Sequence, residues 1–181
     1  ANIWVLKQLN VTDIIAVNAV GGITEKMQAG VICVPDQIID YTYGREHTFF
    51  DGTDENYPLK HIDFTYPYTQ SLRKLILKDQ TDLIDFSVYA ATQGPRLEST
   101  AEINKLEKDG CDIVGMTGMP EAGLAREVDL NYACLALIVN PAAGKSDELI
   151  TMDQIYQVLN EGIEQICNIL VDTSNKFYAN S

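Results

Sequence analysis

Short apolar runs of strand length recur along this chain with helically spaced stretches between them, and that alternation constrains the fold more than any single motif. Asp13-Ile-Ile-Ala-Val-Asn18 ends at Gly21-Gly22, and Gly30-Val-Ile-Cys-Val34 is followed by Pro35 and then Gln37-Ile-Ile39. Residues 87–92, 112–116 and 132–139 repeat the pattern. Runs this apolar suit strands buried on both faces. Ile3, Val5, Leu6 and Leu9 have the spacing of a short helix with no cap residue ahead of it, and residues 71–78 predict another. Ser99-Thr-Ala-Glu102 is a capping-box pattern opening a helix to Lys108, which Gly110 stops. Pro120 starts a helix through Arg126. Thr151, with Gln154 three residues on, caps a long last helix whose Ile155, Leu159, Ile163, Ile166 and Leu170 mark a buried stripe. The expectation is a single α/β domain over residues 1–181 with one continuous sheet.

The charge balance narrows the partners. Against 26 acidic residues stand 13 basic ones, scattered along the chain, for a net charge of −13. Such a field repels nucleic acid and anionic membrane surfaces. The longest apolar run, residues 133–139, falls far short of the ~20 residues of a membrane helix. The opening residues have no secretory pattern. Cys33, Cys111, Cys134 and Cys167 sit among aliphatic residues without metal-ligand or redox spacing. They predict buried free thiols of a reducing compartment, hence a soluble cytoplasmic protein without a metal.

In α/β sheets ligands collect at strand carboxyl ends. Four such ends are polar or small here: Asn18-Ala19, Gln93 through Glu98, Met116-Thr117-Gly118, and Asn140. No P-loop, dinucleotide fingerprint, nucleophile elbow or zinc-protease motif is present, and His47 and His61 both lie in or beside a long aromatic loop over residues 40–58. Residue types and spacing alone lead as far as a small-molecule α/β enzyme.

Four blocks go further. Ala1-Asn-Ile-Trp-Val-Leu-Lys7, Asn18-Ala-Val-Gly-Gly22, Gln93-Gly-Pro-Arg96 and Gly115-Met-Thr-Gly-Met-Pro-Glu121 resemble the trimeric purine nucleoside and methylthioadenosine phosphorylases, over residues 1 to about 170. Within that family the likeness is nearest to bacterial members that cleave S-methyl-5′-thioinosine. The resemblance implies a phosphorylase-type fold, a central mixed β-sheet flanked by helices, and a homotrimer. It implies phosphorolysis of a purine nucleoside, with inorganic phosphate as co-substrate and no cofactor. Asn18 and Thr117 would contact phosphate, Ala19 would offer backbone beside it, Met116 would cover the ribose, and Leu97 would lie against the base.

By the same resemblance, Glu98 and Asn140 would set the purine class. A 6-oxopurine presents N1–H as a donor and O6 as an acceptor, and a 6-aminopurine reverses both. An ionised Glu98 accepts from N1–H. Asn140, the catalytic candidate, donates to O6 or hydrogen-bonds N7 as the leaving purine gains negative charge, with Pro141 and Ala142 beside it in the substrate site. Adenine-specific members of the family carry Asp at the position of Asn140. Met152 would line the 5′ pocket against a methylthio group, and His61 would be lent to the neighbouring subunit. The resemblance therefore implies S-methyl-5′-thioinosine plus phosphate giving hypoxanthine and 5-methylthioribose 1-phosphate. Inosine, guanosine or methylthioadenosine stay open as substrates, as does a nucleoside-binding protein without catalysis.

Each assignment has a plainer alternative. Glu98 can be a first-turn helix acid, Asn140 turn chemistry, and Met116 and Met152 core fillers. Arg96 is expected to be structural, His47 and His61 can be surface residues, and Cys33 and Tyr89 pack only. The family also carries an earlier strand with a glycine-rich loop and an Arg-His pair, both on phosphate. Neither is found in this sequence, so the expectation is a chain incomplete at its N-terminus relative to the family, with phosphorolysis weak or absent.

Overall fold

The computed structural model describes residues 2–53, 55 and 58–179; the first residue of the Ala1-to-Lys7 block and positions 54, 56 and 57 of the aromatic loop lie outside the described residues. The elements run α1 (Asn2–Gln8), β1 (Asp13–Gly22), β2 (Ile32–Cys33), β3 (Gln37–Asp40), α2 (Gln70–Leu77), β4 (Val88–Ala91), α3 (Thr100–Lys108), β5 (Ile113–Gly115), α4 (Gly118–Glu127), β6 (Asn131–Pro141) and α5 (Met152–Ala179). The strands form one mixed six-stranded sheet in the order β2-β6-β1-β5-β4-β3. β1 is parallel to β6, while β3, β4 and β5 are mutually parallel. The two groups meet where β1 runs antiparallel to β5.

β6 shows why its run is apolar throughout. Tyr132, Cys134, Ala136 and Ile138 face a core that includes Ile3 of α1 and Ala122, Leu124 and Ala125 of α4. Ala133, Leu135, Leu137 and Val139 face Leu72 and Ile76 of α2 and Ile166 and Ile169 of α5. With helices on both faces, the two-residue alternation of a strand buries both sets. α3 closes a third cluster through Ile103 and Leu106 against Ala90, Val114 and Cys111.

The capping signals fold as their chemistry requires. Ser99 accepts from the Glu102 N–H while the Glu102 carboxylate accepts from the Ser99 N–H. At the other end, Gly110 (φ +89) donates to the Glu107 carbonyl and Cys111 to that of Leu106, a Schellman stop that needs a left-handed residue. Thr151 and Gln154 exchange the same reciprocal contacts at the start of α5.

Three expectations are corrected. Of the expected α5 stripe, Ile166 is buried and Ile155, Leu159 and Leu170 pack partly buried against the same cluster, but Ile163 is 50% exposed, and Gly162, Ile169 and Thr173 are buried beside Ile166. A Cβ at Gly162 would lie 2.7 Å from Leu137 Cδ2, so a glycine holds the helix close to β6. Cys167 shares the outward face, whereas Cys33, Cys111 and Cys134 are buried and all four thiols are free. Asn18 is not at a strand end: β1 continues four residues beyond it. Among the described residues no helix is long and apolar enough to cross a membrane, and no cluster of His, Cys, Asp and Glu could hold a metal ion.

Candidate functional site

The sheet creates its own opening. β1 pairs with β5 only at Gly21 and Gly22, and beyond that point the two strands part. Ala16 to Gly21 then form one wall of a cavity, and Val114 to Thr117 form another. On the other side of β1, the ladder with β6 slips between Val20 and Gly21, so that Gly21 lies opposite Asn140 with Val139 as the extra residue. That bulge re-aims the end of β6, and Asn140 and Ala142 join the lining. The cavity holds about 700 Å³, inside the ~300–1,000 Å³ range of small-molecule sites.

Asn18, Ala19, Leu97, Glu98, Met116, Thr117, Asn140, Ala142 and Met152 all line this one space. Pro141 does not; it borders a smaller neighbouring recess with Leu149 and Val158. His61 is exposed on the segment before α2 and is likewise absent from the lining. His47 lies 3.5 Å from the Asp40 carboxylate on the same long loop.

Local structure holds the polar groups. Glu98 immediately precedes the N-cap Ser99, so it stands outside α3, where Glu102 supplies the first-turn acid. Its carboxylate accepts a 2.6 Å bond from Thr92 Oγ1 at the end of β4. Asn140 Nδ2 donates to the Pro141 carbonyl at 2.7 Å, which leaves its second N–H for a ligand. Asn18, 7% exposed, donates to Cys134 Sγ at 3.4 Å. Thr117 is the N-cap of α4, makes no side-chain cap bond, and lies on the cavity wall next to the buried Tyr89.

Neither methionine is core filling. Met152 is 54% exposed at the mouth, beside Ile150 and Ile155. Met116 lies over Gly94, where a Cβ would come within 2.4 Å of its sulfur; with φ +66 the turn at Gly94 needs glycine for both reasons. Arg96 points away and forks the Glu102 carboxylate at 2.8 and 2.9 Å, tying the Gly-Pro-Arg turn to α3 and holding Glu102 down to about 2.

Two features had no assigned role in the sequence. Glu121 lines the cavity and accepts a 3.0 Å bond from the Tyr132 hydroxyl. It sits in the last motif block, but nothing in the spacing says that the first turn of α4 faces inward. Arg45, from the aromatic loop, reaches the carbonyls behind Met116 and Thr92. Glu98 and Glu121 are the charged groups among the described lining residues, which include no lysine, arginine or histidine. The space suits a neutral ligand with N–H donors and an apolar arm.

Comparison with known proteins gives consistent results. A family model described as the phosphorylase superfamily matches residues 1–174. The chain is 58% identical over 170 residues to a probable S-methyl-5′-thioinosine phosphorylase of Pseudomonas syringae pv. tomato, covering 92% of this chain and 68% of that protein. It is 39% identical over 178 residues to a 6-oxopurine nucleoside phosphorylase of Pyrococcus furiosus, covering 94% and 67%. Among solved structures, the methylthioadenosine phosphorylase of Schistosoma mansoni in complex with adenine superposes with a TM-score of 0.89 at 28% identity, covering 99% of this chain and 70% of that one. The chain thus spans about two thirds of the length of the curated relatives it matches, 64% in the case of a Xylella fastidiosa protein.

Proposed function

This chain belongs to the phosphorylase superfamily, and from that premise we propose that it serves phosphorolysis of a 6-oxopurine thionucleoside, S-methyl-5′-thioinosine plus phosphate giving hypoxanthine and 5-methylthioribose 1-phosphate. The observation that carries this reading is the convergence of Glu98, Asn140, Thr117 and Met152 on one cavity. Glu98 accepts from purine N1–H. Asn140 uses its remaining N–H on O6 or N7. When the bond from ribose C1′ to purine N9 breaks, its electron pair passes into the purine, and the Asn140 bond strengthens as that charge grows. Phosphate oxygen forms the new bond to C1′, steadied by Thr117 and Asn18 with Ala19 backbone alongside; Leu97 lies on the base and Met116 on the ribose.

The 5′ end favours the thioether substrate. Ile150, Met152 and Ile155 form an apolar corner, where a methylthio group packs and a 5′-hydroxyl would lose a hydrogen bond. Of the relatives, one is named a probable S-methyl-5′-thioinosine phosphorylase, which supports the methylthio end, and another a 6-oxopurine nucleoside phosphorylase, which supports the purine class alone. The working form would be a cytoplasmic homotrimer acting in purine salvage, with His61 of one copy set over the cavity of the next and Pro141 backing Asn140. No cofactor is needed beyond phosphate. A binding-only reading is favoured by one observation, the lack of a cation among the described lining residues.

The test is chromatography of free base released from S-methyl-5′-thioinosine, inosine and methylthioadenosine, each with and without phosphate. Phosphate-dependent hypoxanthine release, fastest from the thioinosine, supports the assignment. Adenine release at a higher rate would overturn the purine class. Hypoxanthine binding without turnover would select the binding-only reading.

A further inference from the structure

The long loop between β3 and α2 places Arg45 behind the cavity wall. Arg45 Nη1 donates to the carbonyls of Met116 and Met119 at 2.7 and 2.5 Å. Its Nη2 donates to those of Thr92 and Gln93 at 3.2 and 2.9 Å. One planar guanidinium therefore braces two segments just past the point where β4 and β5 last pair, Thr92 donating to the Gly115 carbonyl at 2.8 Å: the turn after β4, leading to Leu97 and Glu98, and the turn after β5, carrying Met116 and Thr117. The chain of contacts continues into the site, because the same Thr92 donates through its hydroxyl to Glu98 at 2.6 Å. Gln93 is held a second time, its side-chain oxygen accepting from the Tyr43 N–H of the loop at 3.2 Å.

We propose that Arg45 is a positioning residue for purine selectivity, fixing the Thr92–Glu98 carboxylate against the Met116 wall. This rests on the reading above, in which Glu98 meets N1–H of a 6-oxopurine. Selectivity by hydrogen bonding depends on a donor and an acceptor held in register. Glu98 has no backbone ladder of its own to hold it, since it stands between the end of β4 and the start of α3. Four carbonyls on one fork are a geometry that lysine, a single ammonium on a flexible stem, does not reproduce. Arg45→Lys keeps the charge, but three N–H donors on one nitrogen cannot satisfy all four carbonyls.

A control separates positioning from simple loosening of the loop. Glu127 anchors the same loop away from the cavity, accepting from Thr48 Oγ1 at 2.7 Å and from the Phe49 N–H at 3.1 Å. Equilibrium binding of hypoxanthine and of adenine is measured on the 181-residue chain and on Arg45→Lys and Glu127→Ala. Temperatures are chosen where circular dichroism shows each protein folded. Arg45→Lys should cut the hypoxanthine-over-adenine preference about tenfold, while Glu127→Ala lowers the unfolding midpoint and keeps the preference. An unchanged ratio in Arg45→Lys, or the same loss in Glu127→Ala, overturns the proposal while leaving the Glu98 reading in place. A parent chain without preference for hypoxanthine overturns the Glu98 reading and the proposal with it. Arg45→Gln serves if the lysine variant does not fold; if neither folds, Arg45 is a residue of the fold and the proposal fails.

Discussion

Asn140 and Glu98 carry the base recognition proposed above. Because Asn140 already spends one N–H on the Pro141 carbonyl, one donor is left for the purine in the proposed reading. Replacing it by aspartate turns that donor into an acceptor. Asn140→Asp should move the preference toward adenine compounds by one or two orders of magnitude, short of the ~10⁴-fold limit for unpaired buried groups. Competition binding with hypoxanthine and adenine reads this directly, and an unchanged ratio would remove Asn140 from base recognition. The thiols give an independent residue-scale check. Burial pushes Cys33 up to about 12, and Cys134 is also raised by burial with Asn18 pulling it back. At pH 8 a thiol of pKa 12 is about 10⁻⁴ ionised. Native protein should therefore react rapidly with a disulfide reagent at one site, Cys167, and at all four only after unfolding. Rapid labelling of Cys33 or Cys134 in the native state would contradict this packing.

At the scale of elements, α3 is where a local signal has a measurable consequence. Ser99→Ala removes the N-cap acceptor and should cost about 1 kcal/mol, or roughly 2–4 °C in midpoint for a domain of this size. Glu102 adds a pH dependence. Its carboxyl is held at about 2 by the Arg96 fork first and the Ser99 N–H second, against an ordinary value of 4.5. A lowered folded pKa stabilises above the unfolded value and loses that contribution as pH falls through the folded one. Glu102→Gln should thus be less stable than the parent at pH 6, with the gap closing between about pH 5 and pH 2. A gap that stays constant across that range would rule out the ion pair as its source. The capping box, the Schellman stop and the apolar strands were legible because each depends on neighbours in sequence. What was not legible depends on distant packing. Gly162 rather than Ile163 faces inward because Leu137 of β6 approaches there, and α5 carries enough aliphatic residues for two stripes. Asn18 lines the cavity from mid-strand because β5 parts from β1 at Gly21, a property of sheet order. Glu121 and Arg45 reach the site by the pitch of α4 and the path of a loop, neither of which leaves a periodic trace.

The whole molecule sets the electrostatic terms for any ligand. It carries −13 overall, and its cavity presents Glu98 and Glu121 with no cation among the described lining residues. A carboxylate roughly 6–8 Å from a bound anion opposes it by about 0.5–3 kcal/mol, depending on how far water screens the pair. Neutral donors such as Thr117 and Asn18 return about 0.5–1.5 kcal/mol each. The two sides nearly cancel, so phosphate alone should bind this chain weakly, whereas uncharged hypoxanthine meets Glu98 and Asn140 without that opposition. Stabilisation by a ligand grows as RT ln(1 + [L]/Kd), about 2.7 kcal/mol at a hundredfold excess over Kd. Thermal unfolding should therefore show a midpoint several degrees higher in about 1 mM hypoxanthine and shifted by less than about 1 °C in 10 mM phosphate. Raising the salt concentration screens the net charge and should narrow the difference from the phosphate side. A phosphate shift as large as that of hypoxanthine at low salt would mean that the anion finds a positive group outside the described lining. Weak phosphate binding beside firm purine binding would instead make slow turnover the expected behaviour of a chain in which Glu98 and Asn140 read the purine as proposed.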